Sequence, residues 1–145
     1  MRKYAVIPLL LMVCIGLTGC GSKTLSCTKE DNSNEDLKMT NKIEAKFSKD
    51  KITKMVTVVE VKADGIYKKH VDSLKKSLEE QFTDVKDKKG VTFKTDVKDN
   101  TISLRLDVNV KEMDADSLEE LNIMETTQKY EDAKKSLEKD GYTCK

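Results

Sequence analysis

The chain has 145 residues, 27 Lys and Arg against 26 Asp and Glu, and 37% apolar residues. A net charge of +1 with the signs interspersed attracts no polyanion over long range, and the length supplies one core of small-domain size. Arginine, the residue suited to bidentate phosphate and guanine recognition, occurs only at Arg2 and Arg105, which argues against nucleic-acid binding.

The chain begins MRKYAVIPLLLMVCIGLTGC. Arg2 and Lys3 form a cationic n-region, and residues 5–17 are an uncharged apolar run of signal-peptide length, short of the roughly 20 residues a membrane-spanning helix needs. The sequence Leu17-Thr18-Gly19-Cys20 resembles the lipobox of bacterial lipoproteins. That resemblance implies attachment of diacylglycerol to the Cys20 thiol, cleavage between Gly19 and Cys20, and anchoring in membrane lipid on the extracytoplasmic side. Two acyl chains suffice for stable anchoring, at about 0.8 kcal/mol per buried methylene.

The expected division is therefore a signal peptide at 1–19, a lipidated cysteine with a short tether at 20–23, and a single domain at 24–145. Cleavage leaves 126 residues with 25 basic and 26 acidic side chains, a net charge near −1. Cys14 and the lone proline, Pro8, fall in the discarded segment. With Cys20 lipidated, Cys27 and Cys144 remain as a pair, and outside the cytoplasm such a pair reads as a disulfide. In the chain-entropy model, closing so long a loop stabilises by about 5 kcal/mol. Neither cysteine has a CxxC partner, which disfavours a redox or metal site.

Residues 24–28 alternate polar and apolar and predict a first strand. Residues 29–36, KEDNSNED, predict a solvated hairpin loop. Asp31, Ser33 and Glu35 superficially resemble a calcium loop, but the sharp-turn glycine is missing and the twelfth position is Lys42 instead of glutamate. Leu37, Met39, Ile43, Ala45 and Phe47 share a face of a long strand, and residues 48–51 form a turn. A second strand follows over 52–61, whose apolar phase changes: Ile52, Met55, Val59 and Val61 against Val56 and Val58. That implies either two covered faces or a bulge near Met55.

Asp64-Gly65 opens a helix with Ile66, Val71, Leu74, Leu78 and Phe82 inward. His70, the only histidine, lies beside this stripe, and no nucleophile or acid motif partners it. Residues 84–90 read as a charged loop ending in glycine. Val91, Phe93, Thr95 and Val97 alternate, then Ile102, Leu104, Leu106, Val108 and Val110 follow in period two after a turn at 98–100. The polar face of this hairpin, with Lys94, Asp96, Arg105 and Asp107, is the candidate binding face. Asp116 or Ser117 caps a short helix, with Glu119 and Glu120 placed for a capping box. A longer helix runs over about 127–139 with Tyr130, Ala133 and Leu137 inward, Gly141 ends it, and residues 142–144 return as a short strand toward Cys27.

The expected fold is α+β: an antiparallel β-sheet built of two hairpins, packed on one face by two main helices. The signal segment, the lipobox, this order of elements and the closing Gly141-Tyr142-Thr143-Cys144 together resemble small bacterial lipoproteins of the YehR-like kind. The resemblance implies a fold and supplies no catalytic residue, cofactor or activity. No nucleophile elbow, phosphate loop, metal triad or paired-carboxylate motif occurs, so the expected function is a non-enzymatic, membrane-anchored module that binds an envelope protein or a small ligand. The alternatives are an envelope-acting hydrolase using a carboxylate pair, and a small solute-binding accessory lipoprotein.

Overall fold

The computed structural model describes residues 21–120 and 129–145. Gly19, Cys20 and the rest of the lipobox lie outside them, as does the start of the long C-terminal helix at 127–128. The fold is α+β. Six strands, β1 (Ser22–Asn34), β2 (Leu37–Ser48), β3 (Lys51–Ala63), β4 (Val91–Lys98), β5 (Thr101–Asn109) and β6 (Thr143–Cys144), form one antiparallel sheet. Its order is β4-β5-β3-β2-β1-β6, so the sheet is wider than two hairpins. Helices α1 (Val71–Glu80), α2 (Thr83–Lys86), α3 (Ala115–Glu120) and α4 (Tyr130–Lys139) connect and follow these strands.

Period-two alternation sets the sides of the sheet. Leu25, Ala45, Met55, Val108 and Val91 align across five strands, and Met39, Val61, Ile102 and Val97 align further along the same side. The first row joins a core cluster that takes Tyr130, Ala133 and Leu137 of α4, and the second joins one that takes Leu74 and Leu78 of α1. Phe47 meets Tyr130 of α4 edge-on at 5.5 Å, and Phe82, in the turn between α1 and α2, stacks on Phe93 at 5.2 Å.

The phase change in β3 is a bulge. Ile52 pairs with Phe47 and Lys54 with Lys46, leaving Thr53 without a partner, and its hydroxyl donates to Lys46 O at 3.2 Å. Ile52 thereby stays on the core side, while Val56 and Val58 fall on the opposite side, level with Glu44, Lys42, Asp107 and Arg105. The turn after β2 places Lys49 and Asp50 at φ 50° and 60°, the left-handed pair of a two-residue hairpin loop.

Four expectations are corrected. The KEDNSNED stretch is strand for most of its length: Lys29, Glu30 and Asp31 pair with Asn41, Thr40 and Met39, and the turn shrinks to Glu35 and Asp36. Its polar groups close local turns, with Ser33 N donating to Asp31 Oδ1 (3.0 Å) and Asp36 N to Asn34 Oδ1 (2.9 Å). Residues Gly65–His70 form a 3₁₀ turn instead of α-helix, and its three-residue period turns Tyr67 toward the core while Ile66 stays 71% exposed. The cap of α3 is Asp114, whose Oδ1 accepts Ser117 N at 2.8 Å, in place of the expected Asp116 or Ser117. The charged loop over 84–90 begins as α2.

Gly141 ends α4 with φ 90°, while its N–H reaches Glu138 O (3.1 Å) and Tyr142 N reaches Leu137 O (3.0 Å). These are the two bonds of a Schellman cap, and the cap swings the chain back into β6. There Cys144 lies opposite Cys27, and Ser26 and Lys145 exchange main-chain bonds beside them. Cys27 thus occupies the non-hydrogen-bonded site of the ladder, where backbones approach most closely: Cα–Cα is 4.1 Å and Sγ–Sγ is 1.98 Å, at bonding distance.

Candidate functional site

The side of the sheet away from the helices is built by the polar half of each strand's alternation. Its centre is β5, where Arg105 stands opposite Lys94 of β4 and Val58 of β3. Two like charges facing each other across a ladder repel, and Arg105 instead turns along its own strand to Asp107. Its Nε donates to Oδ2 at 2.6 Å and its Nη2 to Oδ1 at 3.1 Å, a bidentate pair. Lys54 Nζ approaches Asp107 from β3 at 3.5 Å. The Arg105 guanidinium, with Lys54 behind it, holds the Asp107 carboxyl below the usual carboxylate range. The same pair raises Arg105 above its ordinary value.

Of the four candidate residues, the structure therefore brings Arg105 and Asp107 together and sets Lys94 alongside. Asp96 stands one step farther along β4, opposite Ser103. Sequence reasoning missed the contribution of β2 and β3. Lys42 pairs with Glu60 at 2.8 Å, and Lys42, Glu44, Val56, Val58 and Arg105 edge a shallow depression of about 120 Å³. Val56, on this side, is 8% exposed. The two valines out of phase in β3 were the signal that this surface carries an apolar floor.

A wider gap of about 540 Å³ opens beside the two-residue β6, between Thr28, Glu30, Thr143 and Lys145. It is an open trough at the sheet margin, and the charged centre lies elsewhere. His70 is exposed on the 3₁₀ turn before α1. Among the described residues, no three His, Cys, Asp or Glu side chains converge as metal ligands would. No helix among the described residues is long and apolar enough to cross a membrane.

Four carboxylates are shifted in the same direction. Asp31, Glu79, Asp107 and Asp114 are each held low, chiefly by hydrogen bonds from Ser33, Thr95, Arg105 and Ser117 respectively. These groups are stabilised as anions, which suits ion pairing and capping, whereas a proton donor at neutral pH needs its carboxyl raised.

No family model and no curated protein matches this chain. It is similar to a protein from Streptococcus pneumoniae TIGR4 whose structure was determined by NMR, with a TM-score of 0.55 and 11% identity. The match covers 100% of this chain and 98% of the other. At that identity the likeness is one of fold.

Proposed function

We propose that the chain is a lipid-anchored lipoprotein of the bacterial cell envelope, of the YehR-like kind, whose domain is a non-enzymatic binding module. The observation that carries this reading is Leu17-Thr18-Gly19-Cys20 behind a cationic n-region and a short apolar run. β1 begins at Ser22, so a lipid on Cys20 would hold the domain against the membrane surface with almost no tether. In an oxidising compartment Cys27 and Cys144 would form a lasting staple. In this reading the hairpins β2–β3 and β4–β5 are the scaffold, α1 and α4 pack on one side, and the other side is left free to bind. The charged centre at Arg105 and Asp107, on a floor of Val56 and Val58, is the surface offered to an envelope protein or small ligand.

Detergent phase partitioning of cells fed labelled fatty acid tests the anchor. The wild-type chain should enter the detergent phase labelled, and Cys20→Ser should leave it unlabelled; an unlabelled wild-type chain would overturn the assignment. In-cell crosslinking and pull-down test the face. A specific partner lost with Arg105→Glu supports it, and a partner retained by that variant moves the site elsewhere.

A further inference from the structure

The two margins of the sheet are unlike. At one, β1 is capped by β6 through Cys27 and Ser26, and farther along its ladder is broken between Asp31 and Asn34. At the other, β4 runs eight residues without bulge or proline. Asn109 N donates to Gly90 O at 2.7 Å, which fixes the ladder's phase: Thr92, Lys94, Asp96 and Lys98 turn their main-chain groups toward β5, and Phe93, Thr95 and Val97 turn theirs outward. Among the described residues, no hydrogen bond reaches those outward groups. A regular, open edge of this kind is a template for another strand.

We infer that β4 pairs antiparallel with β4 of a second copy of this chain, with Thr95 facing its own counterpart on the two-fold axis. The sequence of the edge selects both occupant and register. Outward-pointing residues must pair with outward-pointing residues, so the register moves only in steps of two. With Thr95 on the axis, Lys94 lies opposite Asp96 of the other copy, and the reverse, giving two cross-strand ion pairs. Phe93 then lies opposite Val97 on the helix side, and Thr92 opposite Lys98. Shifting the axis to Lys94 sets two lysines face to face, and shifting it to Asp96 opposes two aspartates and sets Lys94 against Lys98. Like charges directly opposite are unfavourable. Edge lysines ordinarily discourage strand addition; in this register Lys94 is neutralised by the partner's own strand. The result is a continuous twelve-stranded sheet whose two charged faces lie on the same side.

A strand pair of this length is a small interface, so trapping is the suitable readout. Full-length Lys94→Cys and Asp96→Cys chains carrying different tags are produced together and oxidised, then run without reductant. The expected product is a mixed dimer, with little dimer from either variant alone. Equal dimer from each variant alone, or no mixed dimer, would overturn the pairing. Charge reversal supplies the second arm. In wild-type background, chemical crosslinking of the chain to itself should fall at least about tenfold with Lys94→Asp and recover with Lys94→Asp/Asp96→Lys. Failure of the double variant to recover, with strand content unchanged by circular dichroism, would also reject the register.

Discussion

Asn100 and Ala63 hold each other in both directions. Ala63 N donates to Asn100 O at 2.9 Å, and Asn100 Nδ2 donates to Ala63 O at 2.9 Å. The same amide also reaches Asp64 Oδ1 at 2.6 Å. The tip of the β4–β5 turn is thereby latched to the last residue of β3, where Ala63 is fully buried. Asn100→Ala should destabilise the domain by about 1–3 kcal/mol, because a shielded carbonyl loses its donor. Urea unfolding measures the loss, and an unchanged midpoint would count against the latch.

Acid should weaken the fold through specific carboxylates. Glu79 is held low first by the Thr95 hydroxyl, at 2.5 Å, and then by Lys75, while Asp107 is held low first by Arg105. A group whose folded pKa is depressed contributes above its unfolded value, about 4, and loses that contribution as pH falls through the folded value. Stability should therefore be flat from pH 7 to about 5 and decline below about 4. Glu79→Gln and Asp107→Asn should each make the decline shallower in thermal melts across that range.

Removing the bond between Cys27 and Cys144, by reduction or by paired substitution to alanine, should cost about 2–5 kcal/mol. The two cysteines face each other across the β1–β6 ladder. Chemical denaturation with and without reductant checks this, and a Cys27→Ala/Cys144→Ala chain insensitive to reductant serves as the control.

Gly90 sits at φ 82°, and a Cβ there would come within 2.8 Å of Asn109 O. Gly90→Ala should cost about 1–3 kcal/mol, since both the left-handed backbone and the carbonyl contact oppose a side chain. Its effect should exceed that of Gly21→Ala, where the nearest atoms lie at 4.0 Å.

Much of this architecture was legible as period. The alternation in 91–97 and 102–108 gave both strands and their sides, and the phase change between Ile52 and Met55 marked the bulge at Thr53. Misreadings occurred where a backbone feature carries no apolar signature. Lys29, Glu30 and Asp31 form ladder bonds with β2 without burying side chains, so their polarity looked like a loop. Ile66 and Tyr67 exchange roles because a 3₁₀ turn advances faster than the α-helical period assumed. The charged face was half seen for a topological reason. Arg105 and Asp107 could be placed on one side of β5, but β3 adjoins β5 only in the folded order of strands, so Lys54, Val56 and Val58 could not be assigned to the same surface.

The bond between Cys27 and Cys144 also decides how the domain carries load. A pull applied to the chain on the far sides of Cys27 and Cys144 crosses directly from one residue to the other. The intervening chain, spanning a separation of 117 residues, bears no tension while the bond is intact. Oxidised, the domain is a nearly inextensible link; reduced, it could pay out roughly 400 Å of contour at full extension. Its redox state would thus set its mechanical length.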